Sequence, residues 1–185
     1  MVRESCILND QETIYLPLVK MTNGITIRLF DPYDMENARK VITQCLPYVM
    51  QLKQNGFTTI VVPATKPIPI AWALAVEEQL NLVVLKKEFK PYHTKFKEFS
   101  CKSITSDKTN TMFITESDYY ALKYRKVIFF DDVLSTGATY KGSRNFLKEQ
   151  CNIEDLHALF ILKEGDAFKA DESDNITWLG EIPIN

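Results

Sequence analysis

Hydrophobic and polar positions alternate along the chain with two distinct periods. Near the start, two apolar-rich runs at 14–21 and 25–30 flank Thr22-Asn23-Gly24. Asn-Gly supplies the positive φ angles of a tight turn, so the pattern predicts a β-hairpin. From Asp34 to about Gln54 the apolar residues fall at Met35, Ala38, Val41, Ile42, Cys45, Val49 and Leu52. That spacing is one face of a helix, with Gly56 placed to end it and Pro47 to kink it. A repeated unit follows. A β-branched strand at 58–62, a Pro-rich loop at 63–69, a helical stretch at 70–80 and a strand at 82–86 form the first copy. A strand at 127–130, a loop of small residues, a helix at about 140–150 and a strand at 156–162 form the second. Strand, helix, strand in this order predicts an α/β fold with a central, mostly parallel sheet flanked by helices, its strands apolar throughout because both faces are covered. The interval 86–108 breaks the alternation and reads as loop plus a hairpin over 101–114, turning near Asp107-Lys108. So long an excursion in a compact domain is usually functional or mobile.

Composition narrows the reading. The 185 residues are 45% hydrophobic and 25% charged, enough for one compact domain with a real core. Formal net charge is -2, which gives nucleic acid no long-range reason to approach, and no nucleic-acid partner is expected. No run approaches the roughly 20 apolar residues of a membrane span, and MVRESCILND lacks a signal-peptide core, so no membrane partner and a cytoplasmic location are expected. Charge is segregated. Lys86, Lys87, Lys90, Lys95, Lys97, Lys102 and Lys108 stand against Glu88, Glu98 and Asp107, whereas the stretch from 164 onward holds Glu164, Asp166, Asp171, Glu172, Asp174 and Glu181 against Lys169. Cys6, Cys45, Cys101 and Cys151 are scattered without a Cys-x-x-Cys pair and read as structural. His157 and the aromatic residues Phe129, Phe130, Phe160 and Trp72 read as core, and Lys95, Lys97, Lys102 and Lys108 as surface.

The segment Val127-Ile128-Phe129-Phe130-Asp131-Asp132-Val133-Leu134-Ser135-Thr136-Gly137-Ala138-Thr139 carries the chemistry. Two acids emerge where an apolar strand ends, the edge at which parallel sheets place their ligands. Small hydroxylated residues and a glycine then lead directly into a helix. A helix N-terminus presents unpaired N–H groups and about half a positive charge, so this loop suits a phosphate monoester. The carboxylates cannot serve that phosphate and must face sugar hydroxyls or a hydrated metal. Phosphate on one side and a diol on the other describe a ribose 5-phosphate.

Residues 127–139 resemble the phosphoribosyl pyrophosphate (PRPP) motif of the type I phosphoribosyltransferases, and the stretches Gly24-Ile25-Thr26-Ile27-Arg28, Lys90-Pro91-Tyr92 and Ser103-Ile104-Thr105 make adenine phosphoribosyltransferase-like bacterial proteins the nearest likeness within that family. The resemblance implies a sheet-and-helix domain spanning 1–185, with a small hood made from about 1–30 and 164–185 and a mobile catalytic loop at about 88–100. It implies transfer of ribose 5-phosphate from PRPP to a nucleobase, adenine or another purine, giving a nucleoside monophosphate and pyrophosphate. Asp131 and Asp132 would position the ribose and bear on the cationic sugar, and Ser135, Thr136, Gly137, Ala138 and Thr139 would hold the 5-phosphate. Pro63-Ala64-Thr65-Lys66-Pro67 is similar to the family's pyrophosphate loop, with Thr65 and Lys66 beside the leaving group and a cis peptide at Ala64-Thr65 or nearby. Pro67 stands where the family usually has glycine, and it removes one backbone N–H donor. Lys86, Lys87 and Lys90, in Lys86-Lys87-Glu88-Phe89-Lys90-Pro91-Tyr92, fall on basic positions of the family's catalytic loop. Lys90 is the catalytic candidate among them, because a loop cation that arrives on closure stabilises the leaving group mainly in the transition state.

Gly24-Ile25-Thr26-Ile27-Arg28 resembles the stretch by which adenine enzymes line the purine, which makes Ile27 and Arg28 base-binding candidates. Ser103-Ile104-Thr105 adds to that likeness. Magnesium is expected through the oxygens of PRPP and pyrophosphate, with no metal held directly by the protein. A homodimer is the assembly the resemblance implies. Two alternatives stand: an orotate phosphoribosyltransferase, or a non-catalytic PRPP-sensing regulator of the same fold.

Overall fold

A computed structural model describes residues 2–22, 24, 26–93, 95–102 and 109–183. Strands β1 (Arg3–Leu8), β2 (Glu12–Lys20) and β3 (Thr26–Arg28) form a small antiparallel sheet in that order. β2 and β3 are the expected hairpin, with Leu18 opposite Arg28 and Gly24 at φ 86° in the turn. Asn23 and Ile25 of that turn lie outside the described residues. Helix α1 (Met35–Gln54) begins at the N-cap Asp34, whose carboxylate accepts from the Asn37 N–H, and it contains Pro47. It buries Ala38, Val41, Cys45, Val49 and Leu52, the apolar face read from the sequence.

The second sheet is built from β4 (Phe57–Pro63), β5 (Asn81–Leu85), β8 (Lys126–Leu134), β9 (Asp155–Glu164) and β10 (Ile176–Ile182). Its order is β10-β9-β8-β4-β5, and every neighbouring pair is parallel. Helix α2 (Ile68–Glu77) joins β4 to β5, and α4 (Ala138–Cys151) joins β8 to β9. Between β5 and β8 lie the hairpin strands β6 (Lys95–Lys102) and β7 (Thr109–Thr115) and the short helix α3 (Glu116–Leu122). The Asp107-Lys108 turn and the likeness at Ser103-Ile104-Thr105 fall outside the described residues.

Successive strand residues point to opposite faces, and the core divides accordingly. Ile60, Val62, Ile128, Phe130, Leu159 and Ile161 pack under the small sheet, α1 and α2. Val61, Val127, Phe129, Ala158 and Phe160 pack under α4, with Met112, Ile114 and Leu122 from β7 and α3. Phe129 and Phe130 are fully buried, one on each face, and each burial contributes about 1.5–3 kcal/mol. The strand is held from both sides where its carboxyl end must present two acids.

Three expectations change. Residues 176–182 form the fifth strand of the main sheet instead of adding to the hood. It still meets the small sheet, where the Asn9 N–H donates to the Leu179 carbonyl at 2.7 Å and Leu179 and Ile182 share a core with Leu8 and Ile14. Trp72 is 59% exposed, because α2 is apolar on all sides and buries only Ile70, Ala71, Leu74 and Ala75. The catalytic-loop interval 88–100 is partly strand, since β6 begins at Lys95. His157, read as core, is only half-buried, and it shares a 2.9 Å hydrogen bond with Thr177 Oγ1. Among the described residues, no helix is long and apolar enough to cross a membrane.

Candidate functional site

β8 carries its apolar run through Phe130 and bears Asp131 and Asp132 near its carboxyl end, just before residues 135–137 turn the chain into α4. Gly137 is the N-cap of α4 and adopts a left-handed conformation at φ 75°. A Cβ at this position would lie 2.3 and 2.6 Å from Phe168 ring carbons. Glycine is therefore required twice, by backbone angle and by the ring beneath the loop. Among the described residues no side chain caps the helix, so its first-turn N–H groups stay available to a ligand.

Two cavities meet over the acid pair. The larger, about 360 Å³, is lined by Ile27, Arg28 and Leu29 from β3 and its end, by Asp131 through Tyr140, and by Lys66, Phe160 and Glu164. The smaller, about 290 Å³, is lined by Pro63 through Pro67, Lys87, Asp131, Asp132, Val133 and Thr139. Lys66, Asp131, Asp132 and Thr139 border both. The peptide bond between Ala64 and Thr65 is cis, at the position expected.

Electrostatics at the junction are uneven. Asp131 is 9% exposed, and burial together with the neighbouring Asp132 charge pushes its carboxyl well above the ordinary carboxylate range. The Asp132 N–H donates to Asp131 Oδ1 at 2.9 Å. Asp132 instead forms an ion pair with Lys66 at 2.5 Å, with Lys66 about one-third exposed. One acid is thus paired with a cation and the other is held in a dry environment beside it.

The expected residues divide clearly. Thr65, Lys66, Lys87, Asp131, Asp132, Ser135, Thr136, Gly137, Ala138 and Thr139 surround the two cavities, and Ile27 and Arg28 form the wall opposite the loop. Lys86 and Lys90 border neither. The Lys86 ammonium lies 2.5 Å from Asp118, the residue that closes the capping box of α3 with Thr115. Lys90 is on the surface and pairs with Glu88 at 3.0 Å. Arg28 is 8% exposed, with its guanidinium 2.5 Å from Glu4 and donating to the Pro183 carbonyl at 2.8 Å.

Sequence reasoning missed Glu164, Tyr140 and Phe168. Glu164 carries the same signal that marked Asp131, an acid at the carboxyl end of an apolar parallel strand. Tyr140 and Phe168 gave no local signal. Tyr140 is buried beneath the loop, its hydroxyl donating to Asp174 at 2.9 Å, and its ring packs on Phe129, Phe160 and Phe168.

Comparison with known proteins agrees with this architecture. No protein-family model matches the chain. An HGPRTase-like protein of Halorhabdus utahensis is 35% identical over 116 residues, 62% of this chain. The match spans 57% of that relative's length. Adenine phosphoribosyltransferase from Thermoanaerobacter pseudethanolicus superimposes with a TM-score of 0.68 at 17% identity, covering 90% of this chain and 95% of that one. The Trypanosoma brucei adenine phosphoribosyltransferase, solved with AMP, pyrophosphate and ribose-5-phosphate, gives 0.61 at 19% identity over 74% of this chain and 58% of that one. The chain has the type I phosphoribosyltransferase fold, the fold that the resemblance implied.

Proposed function

We propose that the protein transfers ribose 5-phosphate from PRPP to a purine base, releasing a nucleoside monophosphate and pyrophosphate. The observation that carries this reading is the pair of cavities joined at Asp131 and Asp132. One contains a phosphate loop at an uncapped helix start, and the other contains the cis-peptide loop with Lys66 and Lys87. A ligand with a phosphate at one end, a diol in the middle and a pyrophosphate at the other fits this order of groups. The PRPP sugar would then lie over the acids, with the base entering from the β3 side.

In that arrangement the first-turn amides of α4 and the hydroxyls of Ser135, Thr136 and Thr139 hold the 5-phosphate. Asp132 and Asp131 accept from the ribose hydroxyls and stabilise positive charge as the glycosidic carbon loses pyrophosphate. Lys66 and Lys87 face the leaving group. A unit charge pair at 4 Å is worth about 4 kcal/mol at an effective dielectric of 20, so each cation that engages only as the bond breaks lowers the barrier appreciably. Lys90, at the surface and outside both cavities, would reach the leaving group when its loop closes, and closure would also exclude water.

Asp131 and Asp132 are hard oxygen donors facing the smaller cavity, which fits magnesium shared with substrate oxygens. Among the described residues no group of three or more His, Cys, Asp or Glu side chains converges on one point, so the substrate would supply most of the ligands. Bound there, magnesium would neutralise charge on the pyrophosphate.

Incubation with PRPP, magnesium and adenine, guanine, hypoxanthine, xanthine or orotate, followed by pyrophosphate release, tests the reading. Base-dependent release is expected with a purine. PRPP binding without release for any base would identify a sensor, and no binding of PRPP would refute the site.

A further inference from the structure

The larger cavity extends beyond the sugar and phosphate positions. Its remaining walls are Ile27 and Leu29 on the hood side and Glu164 on the sheet side. Glu164 is the last residue of β9, directly after the Lys163 that pairs in register with Leu134 at the end of β8. It is half-buried, and its carboxylate has no hydrogen-bond or ion-pair partner among the described residues. The cations nearby are engaged. Lys163 pairs with Asp166 and Glu181, and Arg28 across the cavity is held by Glu4 and Pro183. An uncompensated acceptor therefore faces the space left for the base.

A carboxylate accepts hydrogen bonds and donates none. An exocyclic amine placed against it gains a charge-assisted hydrogen bond. A carbonyl oxygen in the same place meets lone pairs, and an anionic base meets like charge. We infer that Glu164 reads the exocyclic amine of the base and makes the site selective for amino-purines, adenine or guanine, over hypoxanthine, which has no such amine, and over orotate, which is an anion. This inference rests on the PRPP-site reading and deepens it by assigning the selectivity to one side chain.

The test compares binding of AMP, GMP, IMP, orotidine monophosphate and ribose 5-phosphate by calorimetry in the wild type, Glu164→Gln and Glu164→Lys. Because Glu164 has no hydrogen-bond or ion-pair partner among the described residues, both variants keep the described contacts of the fold. The wild type should bind AMP or GMP at least about tenfold more tightly than IMP and orotidine monophosphate, the usual range for losing one charged hydrogen bond. Glu164→Gln presents either a donor or an acceptor and should narrow that ratio about tenfold. Glu164→Lys should reverse it, with IMP and orotidine monophosphate bound more tightly than AMP. Ribose 5-phosphate, which has no base, should bind all three proteins alike. Unchanged base ratios in both variants, with ribose 5-phosphate still bound, would overturn the role of Glu164 and leave the PRPP site standing. Failure of the wild type to bind ribose 5-phosphate or any of the monophosphates would refute the site itself, and this inference with it.

Discussion

Replacing Gly137 by alanine adds one methyl group at the most crowded point of the phosphate loop. Two costs are separable. The residue sits at φ 75°, and a left-handed conformation costs a non-glycine residue about 1–2 kcal/mol. The new Cβ would lie 2.3 Å from Phe168 Cδ2, which is far inside contact distance, and relieving such overpacking costs about 1–3 kcal/mol. Together the substitution should cost about 2–5 kcal/mol, and a value near 3 lowers Tm by roughly 6–12 °C in a chain of this size. Urea unfolding would measure it. The decisive comparison is the same substitution made in a Phe168→Ala background. There the ring is gone and only the backbone cost of about 1–2 kcal/mol should remain, so the two substitutions should show a coupling of about 1–3 kcal/mol. Gly137→Ala should also weaken ribose 5-phosphate binding at least about tenfold, since the amides of residues 136–139 must move aside. An identical loss of stability in both backgrounds would refute the claim that the Phe168 ring requires glycine at position 137.

Other substitutions probe the electrostatics. Asp131 has a carboxyl raised well above its ordinary value of 3.8 by burial and by Asp132. The folded state therefore holds the proton more tightly than the unfolded chain, and this group's contribution to stability is greatest below pH 3.8 and falls as pH rises through the raised value. Asp131→Asn should be more stable than wild type at pH 7–8, an advantage that shrinks toward pH 3, while PRPP affinity falls. A denaturation series across pH showing no such convergence would contradict this. If its loop closes as proposed, Lys90→Ala should lower kcat about tenfold or more with PRPP affinity changed less than about threefold, because the side chain stands outside both cavities. Equal turnover in the two proteins would remove Lys90 from the reaction. Lys86→Met should cost about 1–3 kcal/mol of stability by leaving Asp118 without its cation, with little change in PRPP binding. A large loss of affinity with intact stability would return Lys86 to the substrate.

The features legible in the sequence were those written locally. Asn23-Gly24, the spacing from Ala38 to Leu52, and the passage from Phe130 through the acids to Gly137 each encode their structure within a few residues. The Ala64-Thr65 position was legible only by resemblance. What was missed depends on distant contacts. β1 and β10 gain their partners from β2 and β9, and α3 is a seven-residue helix set by a capping box instead of an apolar stripe. Lys86 shows the same limit. The resemblance marked it as a leaving-group cation, but the chain returns Asp118 to it from 32 positions away. Glu164 was counted as one of a group of C-terminal acids because its place at the cavity depends on β9 lying beside β8.

The Lys66–Asp132 pair stands on the boundary between the two cavities. On the proposed reading, a ligand that reaches both members exchanges the ion pair for its own contacts, whereas a fragment that satisfies only one member leaves the other without its countercharge. Pyrophosphate alone would release a carboxylate with no cation, and a bare sugar phosphate would release an ammonium with no anion. A molecule carrying both groups exchanges the two interactions at once. On that reading the bridge would act as a tally of completeness, favouring whole substrate over its pieces before any bond is broken.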